Sequence, residues 1–97
     1  MVTNVTPAHS FSYGNTAFNV MFANKGEGIE KHEHTFNHIT ICLSGSCKLT
    51  KKNIEKTIDK NSGAINLKEN EWHEIEANED NTIFVNIMPI SNLQESV

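Results

Sequence analysis

What constrains this chain most is the rhythm of its apolar residues. Short runs rich in β-branched and aromatic side chains recur at intervals of roughly 8 to 12 residues. They are TAFNVMFAN (16–24), HITICLSG (38–45), CKLTKKNIEKTI (47–58), AINL (64–67), HEIEA (73–77) and NTIFVNIMP (81–89). Turn residues such as the DKNSG of 59–63 separate them. Nothing longer than about ten residues keeps a helical period. The pattern predicts an all-β barrel or sandwich. With no linker and no repeat, one domain is expected to cover 1–97, and a chain of 97 residues has room for one modest core and one site.

Charge and composition exclude several classes of function. Twelve acidic and eight basic residues give a net charge of −4, and no basic stripe is present to follow phosphates, so nucleic-acid binding is not expected. All eight basic residues are Lys, so an anionic ligand would have to be held by a metal, a Lys or backbone amides. No apolar run approaches the roughly 18 residues of a membrane span, and MVTNVTPAHS lacks the charged start and apolar run of a signal peptide. The expected setting is the cytoplasm, with no membrane partner. Cys42 and Cys47 form a C-x4-C pair, neither a zinc knuckle nor a redox C-x-x-C, and are read as buried or free thiols.

The segment HEHTFNH (32–38) holds three of the five histidines. On a strand, His32 and His34 share a face about 7 Å apart, while Lys31 and Glu33 face away. A tight turn at TFN would return His38 beside them on the next strand, and His73, opening HEIEA, could arrive from a strand that closes the barrel. His9 falls outside this set and reads as a surface residue. Paired histidines on a strand are common without a metal, so the competing reading is a pocket whose imidazoles hydrogen-bond to substrate or water. The third and fourth histidines move the weight towards a metal, and imidazole donors favour a transition metal over magnesium or calcium.

These residues carry a resemblance. GEGIEKHEHTFNHITICLSG is similar to the first motif of the cupin family, G-x5-H-x-H-x3-E-x6-G, with Gly26, His32, His34 and Gly45 in place and His38 where the family has Glu. GAINLKENEWH resembles the second motif through Gly63 and His73, but lacks its Pro and second Gly, is one residue short, and has Ala77 at the final Asn position. The spacer 46–62 suits the hairpin that small cupins place there, and the resemblance covers about 18–89. It implies a small single-domain cupin, a jelly-roll-like double-stranded β-helix. It also implies one divalent ion (Fe, Mn, Ni, Zn or Cu) held by His32, His34, His38 and His73. Four neutral imidazoles would leave such an ion its full +2 charge. The implied function is dioxygenase-like or Lewis-acid chemistry on a small chelating molecule; the alternative is a non-catalytic binding module or sensor. A homodimer is expected, with FSYGNTAFNVMF supplying the surface.

If the turn preserves register, Phe36, Thr40 and Cys42 face the same cavity as the histidines. Phe84 joins them if the row Phe84, Asn86 and Met88 faces inward, but Ile83, Val85 and Ile87 are an equal alternative. The same choice lies between Phe18, Val20, Phe22 and Met21, Ala23. Glu71 and Glu74, flanking Trp72 and His73, read as a solvated rim, which leaves no evident general base. Tyr13 is the only phenol, in a segment that the pattern does not place.

Overall fold

The computed structural model describes residues 2–52 and 54–90, and in it two five-stranded sheets face each other. The strands are β1 (Thr3–Asn4), β2 (His9–Tyr13), β3 (Thr16–Ala23), β4 (Glu27–His32), β5 (His38–Ser44), β6 (Ser46–Lys51), β7 (Ile54–Asp59), β8 (Ile65–Leu67), β9 (His73–Ala77) and β10 (Thr82–Pro89). One sheet has the order β1-β4-β9-β6-β7 and the other β2-β3-β10-β5-β8. Every pairing is antiparallel except the short β1–β4 contact. Among the described residues no helix is long and apolar enough to cross a membrane.

Period-two alternation decides which side chains meet between the sheets. HEIEA buries His73, Ile75 and Ala77 and turns Glu74 and Glu76 outward; HITICLS buries His38, Thr40 and Cys42. On β10 the inner row is Thr82, Phe84, Asn86 and Met88, and on β3 it is Ala17, Asn19, Met21 and Ala23, which resolves both ambiguities left by the sequence. Met21, Cys42, Cys47, Leu49, Ile58, Leu67, Ile75 and Phe84 form the core that both sheets share. Cys42 and Cys47 are free and buried there, and burial pushes both thiols above their ordinary range, so neither is poised to react.

Three local features depart from the simplest reading. The segment 47–58 is two strands, β6 and β7, paired as a hairpin from Ser46↔Asp59 to Lys51↔Ile54, with Lys52 at a positive φ of 51° in the turn. β4 and β5 do not form the hairpin expected around TFN; they lie in opposite sheets, and residues 33–37 carry the chain from one layer to the other. β4 also contains a bulge. Its register with β9 moves by one residue between Ile29↔Ile75 and His32↔His73, so Glu30 and Lys31 together span what one residue would. Gly28 precedes that bulge, and a Cβ there would run into the Ile75 carbonyl, so β4 and β9 approach as they do because this residue has no side chain.

Candidate metal centre

His32 ends β4, His34 lies in the crossing segment, His38 opens β5 and His73 opens β9. Residues distant in the chain therefore bring four imidazoles side by side. Ring centroids lie 4.3 Å apart for His32–His73, 4.6 Å for His32–His34, and 5.0 Å for both His34–His38 and His38–His73. One ligand atom from each of His32, His34 and His73 falls within 4.8 Å of the others, so these three could hold a metal ion. His38 sits against His34 and His73 but outside that tight group.

The rings are oriented by the backbone. Nδ1 of His32 donates to the Glu30 carbonyl at 2.7 Å, and Nδ1 of His73 donates to the Glu71 carbonyl at 3.1 Å. Each bond fixes the tautomer and leaves Nε2 with its lone pair, as in metal sites where the second ring nitrogen is anchored. The His34 segment is pinned by its own carbonyl, which accepts from the Asn70 N–H at 2.7 Å, and by Asn37, whose Oδ1 accepts from the Glu69 N–H at 2.8 Å. Phe36 stacks on the His34 ring at 4.8 Å and 24°.

Buried polar atoms test whether a metal fits. Nε2 of His73 and Nδ1 of His38 are both buried without a partner among the described residues, a costly state that a bound cation at the cluster would relieve for an imidazole lone pair. Burial, and then the neighbouring imidazoles, push His38 down to about 3 and His73 down to about 4; burial and His32 lower His34 as well. These three are neutral at pH 7, so protons do not compete for their lone pairs.

A cavity of about 370 Å3 opens over the cluster, lined by His32, His34 and Phe36, by Asn19 and Asn86, and by Met21, Ile29 and Met88. Of the four expected pocket residues, Phe36 lines it. Thr40, 1% exposed, stands behind it and donates to Asn86. Cys42 and Phe84 belong to the core below and are not among its lining residues, because inward-facing positions deeper along β5 and β10 are filled by side chains from both sheets. Glu71 is less solvated than the sequence suggests: its side chain is 12% exposed and paired with Lys51 at 3.6 Å and Lys52 at 3.3 Å. Asn19 and Asn86 line the cavity too; from the sequence alone Asn19 does not stand out, and Asn86 belongs to one of two possible inner rows. The signal that could have found them is a carboxamide at an inward position in an otherwise apolar strand.

No family model matches the sequence, and no curated protein matches it. Solved structures do. KdgF from Halomonas sp. is similar with a TM-score of 0.75 at 11% identity, over 84% of this chain and 74% of that one. A cupin-2 domain protein from Shewanella frigidimarina is similar with a TM-score of 0.70 at 12% identity, over 88% and 83%. Oxalate decarboxylase from Bacillus subtilis, a protein described with Mn(II) centres, is similar with a TM-score of 0.68 at 19% identity, over 77% of this chain and 21% of that one. At such identities the likeness is one of fold: this chain has the architecture of a small cupin, a double-stranded β-helix.

Proposed function

We propose that this protein holds one divalent transition metal at His32, His34 and His73, with His38 as a fourth ligand, and presents it to a small chelating molecule in the cavity above. The observation that carries this reading is the convergence of three ligand atoms within 4.8 Å, on rings whose Nδ1 is tied back to carbonyls in two of the three cases. An imidazole set selects among Fe, Mn, Ni, Zn and Cu rather than Mg or Ca. The Mn(II) centres of the oxalate decarboxylase that shares the fold support that range. Such an ion would supply Lewis acidity or, if redox-active, dioxygenase-like chemistry. The chain's own contribution is to orient the ring nitrogens, keep them unprotonated and surround the open side with an amide-bearing, largely apolar wall.

One observation favours a second reading, a binding module or sensor without turnover. No carboxylate and no Lys lines the cavity among the described residues, so proton transfer would have no side chain beyond the imidazoles to serve it. We place the protein in the cytoplasm and expect two copies to associate. The deciding measurement is metal analysis of untagged protein beside His34→Ala and His73→Ala variants. Wild type is expected to carry about one equivalent of a transition metal, and each variant to lose at least about tenfold in affinity. A folded wild type that neither contains nor takes up such an ion would refute the reading. Turnover with a small chelating substrate separates enzyme from module.

A further inference from the structure

Across the inner face of the β2-β3-β10-β5-β8 sheet runs one polar row. Ser10 pairs with Asn19, Asn19 with Asn86, and Asn86 with Thr40, on four successive strands. On β3 and β10 the neighbouring inward positions are apolar: Met21 and Phe84 on one side, Ala17 and Met88 on the other. Ser10 stands on the exposed edge strand, while Asn19, Asn86 and Thr40 run progressively inward between apolar neighbours, where polar groups are costly unless something satisfies them.

The row is satisfied from its ends. The Ser10 hydroxyl donates to Asn19 Oδ1 at 2.7 Å, and the Thr40 hydroxyl donates to Asn86 Oδ1 at 2.6 Å. Each amide oxygen therefore already accepts one hydrogen bond from the flank, which turns it away from its neighbour's Nδ2. Neither Nδ2 has a protein partner among the described residues, and both residues line the cavity above the histidines. Directly opposed residues on antiparallel strands place their Cβ atoms about 5 Å apart, so one planar oxygen can receive an N–H from each amide. Thr40 lies two residues from His38 on β5, which sets the row about 7 Å along the barrel from the histidine centre.

We propose that Asn19 and Asn86 form a two-donor subsite for a carbonyl or carboxylate oxygen, on a ligand whose other end reaches the histidine centre. The inference rests on reading those histidines as a metal site, and it adds a second anchor to the chelating end. The flanking hydroxyls hold both amides in one orientation, so the subsite favours oxygen acceptors. With Met21, Ile29, Phe36 and Met88 as its remaining walls, it favours a ligand that is apolar between two oxygen-bearing ends.

The test uses the Co(II)-loaded protein and two probes, α-ketoglutarate and α-ketovalerate. They share a chelating end and differ at the far end, where one has a carboxylate and the other a methyl group. Binding is read from the visible absorption of cobalt. Wild type is expected to prefer the diacid by about tenfold or more. Asn19→Leu and Asn86→Leu should each remove most of that preference, read as the ratio of the two affinities, with affinity for cobalt unchanged. Equal binding of both probes by wild type, or a preference that survives the double substitution, overturns the subsite. Failure to take up cobalt counts against the metal centre alone. The subsite is then judged on metal-free, isotope-labelled protein by NMR, where glutarate must shift the side-chain amide signals of Asn19 and Asn86. Unmoved signals overturn it.

Discussion

Among the described residues, His73 has one ring nitrogen committed to a carbonyl and the other buried without a partner, and His38 carries a similar orphan nitrogen. The consequence for acid stability follows from the direction of their shifts. An unfolded chain takes up these protons near the ordinary value of 6.5, whereas the folded chain takes them up only near 4 at His73 and near 3 at His38. Between those limits the unfolded state binds more protons, so folding stability falls as pH drops below about 6.5, by about 1.4 kcal/mol per unit for each such histidine. Denaturant titrations of the metal-free protein at pH 7, 6 and 5 should show that decline, and His38→Gln should make it shallower. A stability that is flat across this range would contradict the burial of these rings as neutral groups. Metal release follows the same direction, since acid protonates the ligands.

The element that aims the first ligand is the bulge in β4. Ile29 and His32 both face inward although an odd number of steps separates them, and the extra residue at Glu30–Lys31 makes that possible. Deleting Lys31 should leave a regular strand with Ile29 and His32 still inside, while removing the local bend that brings the His32 ring onto the Glu30 carbonyl and the Lys31 ammonium that sits 4.3 Å from the Trp72 ring. Metal affinity is expected to fall by about tenfold or more, with a small change in melting temperature. Gly28→Ala should instead cost about 2 kcal/mol of stability, because its Cβ meets backbone. A thermal melt of both variants checks the contrast. The β-branched and aromatic runs at 16–24, 38–45, 73–77 and 81–89, bounded by turn residues, were enough to locate β3, β5, β9 and β10 to within a residue or so, and Gly26, Gly45 and Gly63 adopt positive φ. β2 escaped notice because an edge strand exposed along its whole length has no burial period to reveal it. The β4 bulge and the separation of β4 from β5 escaped because both depend on which distant strand lies alongside. The Asn19–Asn86 pair joins positions from β3 and β10, which no local pattern connects.

The two layers of the molecule differ on their outer faces. Beyond the β1-β4-β9-β6-β7 sheet stand charges such as the Lys48–Glu76 pair at 3.7 Å. The other sheet turns outward Phe11, which stacks on Phe18 at 5.0 Å, together with Tyr13, Phe22 and Leu43, all four at least half exposed. Large apolar side chains left exposed together on one sheet face mark a candidate contact with another protein. The expected partner is a second copy, with the segment around Phe11–Phe22 at its centre. Light scattering should report a dimer, and Phe22→Glu or Leu43→Glu should yield monomers whose circular dichroism is unchanged; a monomeric wild type would exclude the arrangement. The crossing at residues 33–37 has one more implication. His32 and His73 belong to one layer and His38 to the other, so an ion shared among them would act as a cross-link between the sheets. By mass action, free metal at about a hundred times its dissociation constant would add about 2.7 kcal/mol to stability. The resistance of this barrel to coming apart would then track the metal supply of its surroundings.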